Sequence, residues 1–144
     1  MKLRLDVDEL NDDFFEDTRL LGITATVKNY QFCMQLNNML GYDFRLNPEI
    51  EIHLKKKSRN YYFSIYQYSE PNTPLIHYLY QNQFDGEYLL PEFKHMDFLW
   101  LMKYDYVDED KCNWIKQTIR NLNGVQMIVE LTNEQIKNKG NMVF

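Results

Sequence analysis

The sequence predicts an α+β domain: a two-layer fold with a mainly antiparallel sheet and two amphipathic helices on one face. Three observations lead there. Several stretches alternate apolar and polar residues with a period of two, as half-buried strands require. Two other stretches repeat their apolar residues at helical spacing. Tyr and Phe number 11 and 9 in 144 residues, and such rings favour pleated, half-buried surfaces. The length fits one domain over residues 1–144, long enough to bury a core without metals or disulfides. A 44% hydrophobic and 26% charged composition rules out global disorder.

The elements follow in order. Leu3, Leu5 and Val7 alternate with charged residues, and Leu21, Ile23 and Ala25 form a second alternating set, so two strands are expected. From Lys28 to Leu40, Phe32, Cys33, Leu36, Met39 and Leu40 share one helical face. Thr26 is the expected N-cap and Gly41 the left-handed stop. "EIEIHL" from Glu49 to Leu54 alternates without a break, "KKKSRN" forms a basic loop, and "YYFSIYQY" from Tyr61 to Tyr68 returns as the partner strand. "EPNTP" makes a turn into another strand, "LIHYLYQN", from Leu75 to Asn82. "DFLWLM" lacks alternation, which predicts a strand covered on both faces. A second helix runs from Glu109 to Leu122, capped by Asp108, with Cys112, Ile115, Ile119 and Leu122 as its apolar stripe. Val125, Met127, Val129 and Leu131 then alternate as a last strand, a capping box joins Thr132 to Gln135, and "NMVF" is expected to dock on the sheet. Consecutive strands without intervening helices favour antiparallel pairing.

The stretch "LPEFKHMDF", Leu90 to Phe98, carries two carboxylates, a histidine and a proline. Pro91 suits the first position of a helical turn, where its missing N–H costs nothing. Glu92 sits near the positive end of that turn, Phe93 and Met96 point inward, and Asp97 leads into the buried strand. Both carboxylates are then expected to serve backbone N–H groups. The alternative is an acid–base or ligand site built from Glu92, His95 and Asp97, which needs a pocket and environments that separate the pKa values.

At these residues the chain resembles the IPExxxVDY proteins, small bacterial proteins known mainly from Bacteroidota. Leu90, Pro91, Glu92, Met96, Asp97 and Phe98 occupy the signature positions. Pro91, Glu92 and Asp97 match outright, whereas Leu90, Met96 and Phe98 stand where the signature has Ile, Val and Tyr. The resemblance extends through "LLGI", "NYQFCMQLNNMLG" and "NKGNMVF". It implies a bacterial family member and brings no established activity. With Phe98 in place of Tyr, any role for a hydroxyl there is absent from this chain.

Tyr61, Tyr62, Tyr66, Tyr68, Tyr78 and Tyr80 lie within 20 residues on two strands expected to pair. Period two puts Tyr62, Tyr66 and Tyr68 on one strand face, and an antiparallel register brings Tyr78 and Tyr80 beside them. A wet, tyrosine-rich sheet face of this kind fits a contact surface, because tyrosine offers a large area at low entropic cost.

Other signals point to ordinary structure. The run from Lys55 to Arg59 beside Tyr61 and Tyr62 raises nucleic-acid binding, but a net charge of −5 argues against affinity for phosphate backbones or anionic membranes. His53, His77 and His95 share no ligand spacing, so no metal is expected. Cys33 and Cys112 fall on apolar helix faces as buried free thiols. The scattered glycines form no phosphate-cradling loop or nucleophile elbow, and no cofactor is implied. The opening "MKLRLDVDEL" has no apolar core of a secretory leader, and no apolar run approaches the length of a membrane span. The expectation is a cytoplasmic, non-enzymatic domain that binds a protein partner or a second copy of itself, as a homodimer, through Tyr62, Tyr66, Tyr68, Tyr78 and Tyr80. The alternatives are a ligand or catalytic site at Glu92, His95 and Asp97, and nucleic-acid binding by the basic hairpin.

Overall fold

The computed structural model describes residues 9–144, so the strand expected at Leu3, Leu5 and Val7 lies outside the described residues. Residues 9–14 are helical. The chain then forms β1 (Arg19–Ala25), α1 (Asn29–Leu40), β2 (Arg45–Leu46), β3 (Ile52–Lys56), β4 (Arg59–Phe63), β5 (Ile65–Ser69), β6 (Ile76–Gln81), β7 (Gln83–Phe84), β8 (Glu87–Tyr88), β9 (Phe98–Lys103), α2 (Glu109–Arg120) and β10 (Val125–Leu131). Short 3-10 turns occupy Pro91–Phe93, Asn133–Gln135 and Lys139–Met142. The fold is α+β, as the sequence predicts. A six-stranded sheet runs in the order β10-β1-β9-β6-β5-β2, and every pairing in it is antiparallel.

Both helices lie on one face of that sheet. Phe32, Cys33, Leu36 and Leu40 of α1 and Cys112, Ile115 and Ile119 of α2 pack with Leu21, Ile23, Leu79, Phe98, Trp100 and Met102. Gly41 ends α1 in the left-handed conformation, at φ 71°, and its N–H donates to the Asn37 carbonyl at 3.0 Å. Asp108 caps α2 by accepting from the Lys111 N–H at 2.8 Å. Two helix boundaries differ from expectation. Thr26 is not the N-cap of α1: Lys28 holds that position, and Thr26 turns both its N–H and its hydroxyl to the Gly124 carbonyl, at 2.9 and 3.4 Å. Helix α2 stops at Arg120, since the Asn121 side chain takes the Gln117 carbonyl at 3.1 Å.

The opposite face is where expectation and structure part. It is not wet. The hairpin β3–β4, residues 89–96 and the C-terminal turns cover it, forming a second core of Ile52, Tyr61, Phe63, Ile65, Tyr78, Tyr80, Leu89, Leu90, Leu99, Leu101 and Met142. Strand β9 is therefore buried along its whole length, and "NMVF" docks as expected through Met142. The stretch Tyr61 to Tyr68 is not one strand. It breaks at Ser64, so that β4 pairs with β3 in a small sheet and β5 joins the main one. The hairpin turn is only Lys57 and Ser58, both at positive φ (51° and 65°), a conformation that matches the twist of its strands. Residues 49–51 precede β3 rather than belong to it, because the Asn47 side chain accepts from the Glu49 N–H at 3.0 Å and folds the chain into a turn.

Candidate functional site

The family-like stretch is held by a residue outside it. Asn82 is fully buried at the end of β6. Its Nδ2 donates to the carbonyls of Phe93 (3.0 Å) and Met96 (2.9 Å), and its Oδ1 accepts from the Leu90 N–H (2.8 Å). Its backbone N–H and carbonyl reach Asp97 and Leu89. Burying an amide is affordable only when its donors and acceptors are met, and here they are. Leu90 and Met96 are buried; Met96 fills the space beside Gly22 of β1, where a Cβ would come within 2.9 Å of its sulfur. Phe98 stacks on Phe32 with centroids 4.6 Å apart.

Both carboxylates serve the backbone, as their position suggests. Glu92 Oε2 accepts from the N–H groups of Lys137 (2.6 Å) and Asn138 (2.8 Å), and Oε1 from the Asn138 side chain (2.9 Å). Burial alone would raise this carboxyl, but those donors outweigh it and leave it below the usual range. Asp97 Oδ2 accepts from the Ala25 N–H at 2.9 Å. His95 is exposed; its carbonyl accepts from the Thr24 hydroxyl at 2.7 Å, and its ring stands edge-on to Phe93 with centroids 6.5 Å apart. A cavity of about 300 Å³ does lie beside Asp97, between the start of α1 and Gln81, but neither Glu92 nor His95 lines it. The three groups are not assembled into an acid–base site.

The tyrosine set is split. In the β5–β6 register Tyr66 faces Leu79 and Tyr68 faces His77, while Tyr78 faces Gln67 and Tyr80 faces Ile65. Opposed residues share a face, so the two pairs point to opposite sides of the sheet. Tyr66 and Tyr68 are half-buried against the helical core. Tyr78 and Tyr80 are 4% and 0% exposed, and the Tyr80 hydroxyl donates to the Met142 carbonyl at 2.9 Å. Tyr62 alone is exposed, on the separate hairpin, stacked on His53 at 4.8 Å. The expected continuous surface of five tyrosines is corrected: a register offset by one residue divides it. The basic run is also partly spent, with Lys56 paired to Glu87 and Arg59 to Asp85.

His77 is fully buried on the helical face. Its Nδ1 accepts from Trp100 Nε1 at 3.0 Å, and its Nε2 contacts Glu70 at 2.8 Å. Those bonds fix the neutral tautomer protonated at Nε2. Burial, only partly offset by Glu70, pulls its pKa down to about 4. Lys111 of α2 completes the network on Glu70. His53, His77 and His95 lie on different elements, and among the described residues no group of three or more His, Cys, Asp or Glu could hold a metal ion.

An open site appears elsewhere. A cavity of about 480 Å³ is lined by Asp13, Glu16, Asp17, Lys103, Tyr104, Asp105 and Tyr106. A second, of about 330 Å³, adjoins it through Asp17 and Tyr106 and adds Arg19, Glu109 and Glu130. Together they form a groove with six carboxylates and two cations. Both cations are occupied. Arg19 bonds Glu109 and Glu130, each at 3.0 Å, and the Val107 carbonyl at 2.6 Å. Lys103 is 7% exposed; its ammonium donates to the Phe14 carbonyl and sits 4.3 Å from the Phe14 ring and 4.7 Å from the Tyr104 ring. Burial pulls its pKa below the ordinary lysine value. Tyr104 and Tyr106 are 54% and 71% exposed. Tyr104 holds φ at 78°, a strained backbone for a bulky residue that follows from leaving the straight, buried β9 for the helix cap at Asp108.

Sequence reading missed this groove. Its signal is "KYDYVDED", Lys103 to Asp110, where tyrosines alternate with acids directly after the most buried strand. Comparison of the chain with protein-family models and with curated proteins finds no match. No helix among the described residues is long and apolar enough to cross a membrane.

Proposed function

We propose that this chain is a non-enzymatic binding module that takes a basic segment of another protein into the groove at Tyr104 and Tyr106. One observation carries the reading. Two highly exposed tyrosines stand among carboxylates that outnumber the groove's cations, and those cations are already engaged. Arginine and lysine side chains fit such a lining through ion pairs and through contact with aromatic faces. Lys103 illustrates the fit within the chain itself, its ammonium resting on two aromatic rings. Exposed tyrosine remains the contact residue, as the sequence suggests, at positions 104 and 106 rather than across residues 62–80. Membership of the IPExxxVDY family is part of the proposal and is supported by the matches at Pro91, Glu92 and Asp97.

The test is calorimetric titration with an arginine- and lysine-rich peptide against an acidic peptide of equal length. The basic peptide binds, the affinity falls with added salt, and Tyr106→Ala with Asp17→Asn weakens it roughly tenfold or more. No binding of the basic peptide at low salt, or binding unmoved by those substitutions, defeats the proposal.

A further inference from the structure

We infer that the cavity between the C-terminal ends of α1 and α2 is a binding site for an uncharged, hydroxyl-rich small molecule of monosaccharide size. The inference is independent of the groove, and it starts from one atom. Gln35 Oε1 of α1 is buried without a hydrogen-bond partner, the one buried side-chain oxygen or nitrogen among the described residues of which that is true. A buried amide oxygen left unpaired costs stability, and the buried amide of Asn82, by contrast, is paired at both ends. Gln35 lines a cavity of about 270 Å³ together with Asn38 and Met39 of α1 and with Asn121, Leu122 and Asn123 just after α2.

The lining decides the class of ligand. It contains no Asp, Glu, Lys, Arg or His, so a charged ligand would lose its water there without meeting a counter-charge. A wholly apolar ligand would leave Gln35 Oε1 unpaired. A neutral molecule that carries hydroxyl donors meets both conditions. The neighbouring groups extend the same demand. Asn38 and Met39 lie in the last turn of α1, where carbonyls lack a partner within the helix; the Gly41 N–H returns to Asn37, and the turn holds no basic residue. Asn121 gives its Nδ2 to the Gln117 carbonyl at 3.1 Å and keeps its Oδ1 as an acceptor. Asn38 and Asn123 are exposed and bring amide donors for ligand oxygens. Met39, 57% exposed, and Leu122 supply apolar contact for the C–H groups of a ring. A pyranose combines hydroxyl donors, oxygen acceptors and C–H groups on one small frame, and a cavity of this size admits one such ring.

Two-dimensional NMR of the full-length chain labelled with nitrogen-15 tests this, in titrations with glucose, galactose, mannose and N-acetylglucosamine to about 100 mM, a range that captures weak association. The expected result is that at least one of these sugars shifts the side-chain amide signals of Gln35, Asn38 and Asn123 saturably. Gln35→Met keeps the length of the side chain and removes the unpaired oxygen. It is expected to raise the urea midpoint of the free protein while weakening sugar binding roughly tenfold. Asn123→Ala, at an exposed position, weakens binding with the midpoint unchanged, so the test stands even if the Gln35 variant fails to fold. No saturable shift with any of the four sugars overturns the inference, as does binding that neither substitution weakens. A purely structural Gln35 gives a lower midpoint for Gln35→Met and no sugar response, which overturns it as well.

Discussion

The two faces of the central sheet each carry a buried core but are covered by different means. On one, two helices of twelve residues each present apolar stripes to Leu21, Ile23, Leu79 and Trp100. On the other, hairpin β3–β4, residues 89–96, the turns after Leu131 and, from the end of the helical stretch 9–14, Phe14 and Phe15 supply single apolar side chains. The helical face is fixed by periodic packing. The irregular face is fixed by hydrogen bonds that place each side chain, among them those of Asn82, Glu92 and Tyr80. A covering layer can thus bury a core, as a helical one does, when polar groups replace periodicity as the means of alignment.

The comparison breaks most easily at matched leucines. Leu36 of α1 and Leu90 before the Pro91 turn are both fully buried. Truncation of either to alanine is expected to cost ~2–5 kcal/mol in urea unfolding, and a loss below about 1 kcal/mol at Leu90 alone makes the irregular layer a loose cover. Next comes pH, which acts on the helical face. His77 is neutral in the fold and its pKa lies at about 4, against 6.5 in the unfolded chain. Between those values the unfolded chain binds the extra proton, so stability is highest above pH 6.5 and falls as pH drops towards 4, by about 3 kcal/mol. His77→Gln flattens that dependence if His77 is its source. On the irregular face, Asn82→Ala leaves one N–H and two carbonyls without their partner and is expected to cost about 3 kcal/mol; chemical denaturation at pH 7 measures it. The smallest effect is Tyr80→Phe, which removes one bond to the Met142 carbonyl and should cost about 1 kcal/mol, with faster amide exchange confined to residues 139–144.

The helical face was legible because periodicity states it outright. The stripe of α2 and the caps at Asp108 and Gly41 stand where the residue types put them. The irregular face was not, since Leu89, Leu90, Ile136 and Met142 are isolated apolar residues whose partners lie far along the chain. One clue to it was present. The unbroken run Phe98 to Met102 requires cover on both sides, and β6, hydrogen-bonded beside it, must share that cover, so Tyr78 and Tyr80 belong inside. The groove was hidden for a related reason: Asp13, Glu16 and Asp17 meet Lys103 to Tyr106 only after β9 takes its place in the sheet.

The docking of residues 139–144 has a consequence for biosynthesis. Met142 is buried, Phe144 packs 4.8 Å from Tyr78, and β1 waits on β10 for its outer partner. A ribosome delivers the chain from its N-terminal side, so these residues emerge last among those that close the irregular face. Until then the Tyr80 hydroxyl and the Leu89 carbonyl lack their partners on Met142 and Asn141, and the core on this face is left incomplete.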